Sequence, residues 1–224
     1  MDYAEAMSFM FRDEDWIKKV LIGGLIAFVA FYSGILFFVA FVLVGYYVGI
    51  LRNTAKKEEK ILPEWNELNQ IAVDGILGAI VILINFIIIG GITALLIVLV
   101  ATDAFSPDYQ KGLLITLISI AALFAHTIFS NLGLIQFSRT GNFGDAFNIR
   151  TMLEFLRGNF GNFIAVTIFS MILNLVLLLV GLGIFSPFTN FWGFIVQAHL
   201  FGQCVGVQQQ NAVSGQSADV QTST

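Results

Sequence analysis

Residues 18–52 read KKVLIGGLIAFVAFYSGILFFVAFVLVGYYVGILR. The block Val20–Leu51 carries no charge and is closed by Lys18 and Lys19 on one side and Arg52 on the other. One straight helix over it would run about 48 Å at about 1.5 Å per residue. That overshoots a hydrocarbon core of about 30 Å, yet the block is too short for two full spans of about 20 residues each. Charge chooses between the readings. Arg12, Lys18 and Lys19 precede the block, and Arg52, Lys56, Lys57 and Lys60 follow it. Cytoplasmic flanks of membrane helices are rich in Lys and Arg, so both flanks belong on the cytoplasmic side. The block must enter and return as a hairpin of two short helices, 20–33 and 34–51, turning near Tyr32, Ser33 and Gly34. Its length suits either a short crossing or a re-entrant turn.

The rest of the chain repeats this theme. Of its 224 residues 57% are hydrophobic and 12% charged, with mean hydropathy +0.85. A soluble domain carries about 25% charged residues, so most of this surface must face lipid. Further apolar blocks lie at Gly75–Thr102, Gly112–Phe137 and Phe160–Val207. The last exceeds one span, and Ser186–Pro187 divides it. The expected helices are therefore 20–33, 34–51, 75–101, 112–137, 160–184 and 191–207. Arg139, Arg150 and Arg157 form a third basic group, whereas the loop near 102–111 holds only Lys111 and 186–190 has no basic residue. The expected fold is an all-α membrane protein: a single membrane domain over 1–207, a bundle of about six transmembrane or re-entrant helices in three hairpins. Both termini are expected on the cytoplasmic face of the inner membrane. The first residues are acidic, unlike the basic start of a signal peptide. Residues 208–224 are rich in Gln, Ser and Thr without an apolar period, as in a disordered cytoplasmic tail. The net charge of −4 argues against a nucleic-acid partner; the lipid bilayer is the expected one.

Each hairpin is preceded by a segment suited to the membrane interface. In 143–157, Phe143, Ala146, Phe147, Met152, Leu153 and Leu156 fall roughly on one helical face, with Asp145, Asn148, Arg150, Glu154 and Arg157 largely opposite. In 63–74, Pro63 suits the first helical position, Glu64 and Glu67 suit the positive end of the dipole, and Trp65, Leu68, Ile71 and Ala72 have helical spacing. Segment 3–11 is the third. Tyr3–Phe9 also aligns loosely with Phe143–Ile149, a hint of internal repetition.

Polar residues inside apolar spans are costly and face the bundle or a cavity. Here His126, Ser130, Asn131, Asn174, Gln197, His199 and Gln203 are the candidates for a polar intramembrane site. His126 and Ser130 share a helix face, as do His199 and Gln203. If the two faces meet, they form a titratable seam; the plainer reading is hydrogen bonding between helices. The small-xxx-small pairs Gly45/Gly49 and Gly202/Gly206 favour close helix packing. Arg52, Glu64, Trp65, Glu67 and Asp74 suggest a docking surface for a membrane or cytoplasmic protein. No zinc spacing, phosphate-binding loop or nucleophile elbow occurs, so no enzyme activity, metal or cofactor is expected. The leading expectation is a non-enzymatic accessory or scaffold subunit, and the alternative a transporter of small solutes or lipids using the polar seam.

Several stretches resemble a known family: Gly45-Tyr-Tyr-Val-Gly-Ile-Leu-Arg-Asn53, Glu58-Glu-Lys-Ile-Leu-Pro-Glu-Trp-Asn66, Val73-Asp-Gly75, Arg139-Thr-Gly-Asn-Phe-Gly-Asp-Ala-Phe147 and Gln197-Ala-His-Leu-Phe-Gly-Gln203. The chain is similar over nearly its whole length, except the tail, to the prokaryotic multi-pass membrane proteins catalogued as domain of unknown function 4013. Gly49 stands where the family pattern suggests a second basic residue before Arg52. The resemblance implies membrane location and architecture and brings no activity with it.

Overall fold

The structure, a computed structural model, describes the backbone of residues 1–33, 39–102 and 107–222, with side chains as far as 207. A short helix α1 (Tyr3–Ser8) runs into a 3-10 turn at Phe9–Arg12. The long helices are α2 (Trp16–Ser33), α3 (Ala40–Lys56), α4 (Leu68–Thr102), α5 (Asp108–Thr140), α6 (Ile149–Val180) and α7 (Ser186–Thr222). Among the described residues there is no strand. Four of the helices, α2, α4, α5 and α6, are long and apolar enough to cross a membrane. The protein is an all-α, multi-pass membrane bundle.

Local signals set the helix ends. The Asp2 side chain accepts from the Glu5 amide at the start of α1, and Asn148 accepts from the Thr151 amide at the start of α6. Such caps satisfy amides that have no partner inside the helix. Lys57 (φ 57°) ends α3 and Gly141 (φ 69°) ends α5, both in the left-handed conformation that closes a helix.

The core sits toward one end of the bundle, where α1, the first turns of α2, the second half of α3, the start of α4, the end of α5 and the middle of α7 converge. Tyr46, Tyr47, Leu51, Ile71, Leu134, Phe137, Phe201 and Val205 are buried there. At the other end the α4–α5 hairpin stands clear: among the described residues, none of 86–102 or of 107–129 is buried. Phe86, Ile87, Leu95, Leu99, Leu113 and Leu117 are all exposed. An apolar surface this continuous is stable only against hydrocarbon.

Of the first expected hairpin, α2 ends at Ser33 and α3 begins at Ala40, while Gly34 and the start of the expected second helix lie outside the described residues. At 18 residues α2 is about 27 Å long. Near its end the Tyr32 hydroxyl donates to the Gly183 carbonyl at 2.7 Å. Gly183 lies in the turn 181–185 between α6 and α7, so the end of α2 is level with that turn. That turn, with Leu182 at φ 47° and Gly183 at φ 75°, separates the last two helices, and Ser186–Pro187 opens α7 directly after it.

The interfacial segments take shapes that the sequence pattern alone misses. The expected helix at 63–74 begins only at Leu68. Pro63 packs in the groove opposite Gly49, where an added Cβ would come within 2.6 Å of its ring. The expected helix at 143–157 is a 3-10 turn over Phe143–Phe147 followed by the first turns of α6. A non-helical residue, Asn159 (φ −133°, ψ 17°), then sets those turns at an angle to the apolar remainder. Segments 3–8 and 143–147 differ in local form, helix against 3-10 turn, but each buries its matched alanine, Ala6 and Ala146, completely. The backbone of α7 continues to Thr222, where composition suggests no regular structure. Once a helix is nucleated, each further residue costs little, which is how a stretch with no apolar period can follow a packed helix.

Candidate functional site

Close backbone approach positions the polar groups. A Cβ on Gly45 would lie 1.8 Å from the Ile71 carbonyl oxygen, and one on Gly75 would lie 2.1 Å from that of Phe41. Both glycines are needed for α3 and α4 to touch. Gly202 meets Thr54 in the same way, with 2.5 Å to its Cβ, whereas Gly206 keeps an ordinary 3.5 Å to the Ala55 carbonyl. The expected Gly pairs thus pack inside the chain, and Gly75 is the partner of Gly45 on α4.

The expected polar seam divides. Asn131 on α5 is the centre of one part. The Tyr47 hydroxyl donates to its Oδ1 at 2.9 Å, and Gln197 Nε2 donates to the same oxygen at 3.3 Å. The Asn131 amide donates to the Thr127 carbonyl at 2.8 Å. This node ties α3, α5 and α7 together. Tyr47 is a member of this node that the expected polar set lacks. His126 contacts Ser130 at 3.5 Å and the edge of Phe86, and Asn174 donates back to the Ser170 carbonyl. His199 belongs elsewhere: its ring stacks on Phe9 with centroids 4.1 Å apart, and its Nδ1 lies 3.3 Å from Gln203 Nε2. The two histidines therefore serve separate clusters.

Of the expected docking residues, Arg52, Glu64, Trp65 and Asp74 have partners within the chain. Arg52 makes a forked pair with Asp74, at 2.8 and 3.3 Å, and its Nε also donates to the Ser138 carbonyl. Glu64 accepts from Lys19 Nζ at 2.7 Å. Trp65 stacks on Tyr46 at 4.5 Å and donates from Nε1 to the Lys19 carbonyl. Glu67 stays exposed. The reason is desolvation. A lysine one turn inside an apolar helix needs partners, and Lys19, only 2% exposed, finds Asp13, Glu64 and the Leu62 carbonyl. Three acceptors match the three donors of an ammonium group. Lys19 was read only as topology charge; the sign of its other role is its place between Ile17 and the apolar run.

Beside this framework lies a cavity of about 900 Å3. Its walls are the N-terminal segment, the end of α3 with residues 57–62, and α7 from His199 to Val207. Asp2, Glu14, Asp15, Glu58 and Glu59 line it, along with Glu5, which pairs with Arg12, and Asp13, which pairs with Lys19. Lys57 and Lys60 also line it, so acids predominate. Phe9, Leu62 and His199 supply buried wall. No cluster suited to a metal ion occurs among the described residues.

A lipid-facing helical bundle held by interhelical hydrogen bonds, with its packed end and cavity on the side of the basic loops, defines a multi-pass integral membrane protein. No curated protein and no solved structure matches the chain. The sequence model of one family, described as Protein of unknown function (DUF4013), matches residues 28–186, and the chain belongs to that family. The matched range stops short of 197–203, which the sequence resemblance includes, and of the N-terminal cavity wall.

Proposed function

We propose that this protein is a non-enzymatic accessory or scaffold subunit of the inner membrane, with its termini and cavity on the cytoplasmic side. One observation carries the reading: the exposed charged groups gather in the cavity at the basic-loop end of the bundle, while within the bundle Asn131 joins three helices and Asn85 and Asn174 donate back to their own helices. Asn131 spends its amide and carbonyl on Tyr47, Gln197 and Thr127. A carrier needs polar groups free at mid-depth to meet a solute, and the separation of His126 from His199 weakens the transporter alternative. The orientation rests on the positive-inside rule, since Arg12, Lys57 and Lys60 all edge the cavity.

The test is purification in mild detergent from cells expressing the tagged protein at native level, with mass spectrometry of what elutes. A stoichiometric protein partner is the expected result. Elution alone with one retained lipid or small solute would instead favour transport, to be followed by flux measurements on His126→Phe.

A further inference from the structure

We infer that the cytoplasmic-end cavity receives a basic segment of another membrane protein, the Lys/Arg-rich stretch that flanks a transmembrane helix. The inference rests on the accessory reading above and names the chemistry of its partner.

Three observations converge. The first is sign. The cytoplasmic ends of membrane helices are enriched in Lys and Arg, yet five acids that pair with no basic side chain here, Asp2, Glu14, Asp15, Glu58 and Glu59, edge this cavity. An acidic hollow in that layer is complementary to the basic flanks that neighbouring membrane proteins present there, and it repels anionic headgroups. The second is shape. A volume of about 900 Å3 holds several side chains. Buried Phe9 and Leu62 offer apolar wall for the long stems of Lys and Arg, whose charged heads reach the acidic rim.

The third is a pair of unused hydrogen-bonding groups in the wall, each more than nine-tenths buried. Thr54, 7% exposed, has a buried hydroxyl without a partner. It does not take the carbonyl one turn back, the usual outlet for a helical threonine. His199, 2% exposed, uses only Nδ1. Gln203 fixes the tautomer: its Oε1 accepts from the Asp2 amide at 2.9 Å and its Nε2 donates to the Asp2 carbonyl at 3.2 Å. The amide nitrogen must then donate to Nδ1, so the ring carries its proton on Nε2. Nε2–H and the Thr54 hydroxyl are donors that await acceptors, and a peptide segment brings backbone carbonyls as well as cations. A bare polyamine brings only further donors.

The experiment uses the full-length protein in nanodiscs of phosphatidylcholine, which is neutral overall. The probe is a fluorescent peptide of repeated Lys-Leu-Arg, followed by anisotropy. The expected result is saturable binding that weakens with salt. It should also weaken by about tenfold or more when Glu14, Asp15, Glu58 and Glu59 are changed together to their amides. These four side chains are exposed, so the variant keeps its fold. A second variant, Val207→Trp, adds bulk from an exposed lining position without altering charge and should weaken binding as well. Absence of saturable binding, equal binding by a Glu-Leu-Asp peptide, or unchanged affinity in either variant would overturn the inference. Full displacement of the peptide by spermidine at comparable affinity would also overturn it, in favour of a small polyamine site. A stoichiometric partner in the purification together with no peptide binding would sink this inference alone and leave the accessory reading standing.

Discussion

Lys19 is where single-residue energetics are sharpest. Its ammonium lies 2.7 Å from both Asp13 and Glu64, and the three side chains are 2%, 14% and 36% exposed. Removing one partner of a buried ion pair leaves an uncompensated charge and costs about 3–5 kcal/mol. Because the carboxylates keep some contact with water, the lower end applies. Lys19→Ala should destabilise the protein by about 3 kcal/mol, read as a lowered midpoint of unfolding in detergent. Glu64→Gln keeps a hydrogen-bond acceptor and should cost clearly less; equal losses would contradict the network. Tyr47→Phe removes one hydrogen bond from the Asn131 node and should cost only about 1 kcal/mol, because Gln197 still reaches Asn131 at 3.3 Å. The order Lys19→Ala, then Tyr47→Phe, in the same unfolding assay separates a buried charge from a neutral interhelical contact.

Between helices, glycine decides by context. Gly45 and Gly75 sit where the α3 and α4 backbones touch, while Gly90 and Gly91 have nothing within 4 Å of an added Cβ. Gly45→Ala should therefore cost at least the upper part of the ~1–3 kcal/mol typical of overpacking, since the obstacle is a backbone carbonyl. Gly90→Ala should raise stability, by up to about 1 kcal/mol of helix propensity. Thermal unfolding of the two variants side by side checks both signs. The same element-level contrast explains which parts of the chain could be read in advance. Apolar length located the long helices well. Pro63 and two glutamates fit a helix start for the segment 63–74, yet 63–67 is not helical. Its course is set instead by Trp65 stacking on Tyr46 and by Glu64 reaching Lys19. Those are contacts across the sequence, and no local pattern records them.

Taken as a whole, the molecule is packed at one end and open to lipid at the other. The Tyr32 contact with Gly183 puts the end of α2 level with the turn between α6 and α7. Cysteine placed at Ser33 in a Cys204→Ser background should be modified by an impermeant maleimide from outside intact cells only. Glu58→Cys in the same background should react only after the inner face is exposed. No labelling of the Ser33 position from either side would make both turns re-entrant. Native Cys204 is fully buried and should react slowly until the protein unfolds.

The sequence by itself determined the all-α membrane class and the presence of several long apolar helices. Hydropathy and charge are properties of each residue, and a bilayer sorts them along one axis. Only the tertiary structure decided which polar residues meet. A lipid-immersed helix is apolar all round, so its pattern marks no face. The rotation and register that join Asn131 to Tyr47 and Gln197, and His199 to Phe9 and Gln203, come from close approaches such as Gly45 against Ile71 and Gly202 against Thr54. The candidate residues were legible as types. Their division into an interhelical node, a buried ion-pair network and an acidic cavity follows from that packing.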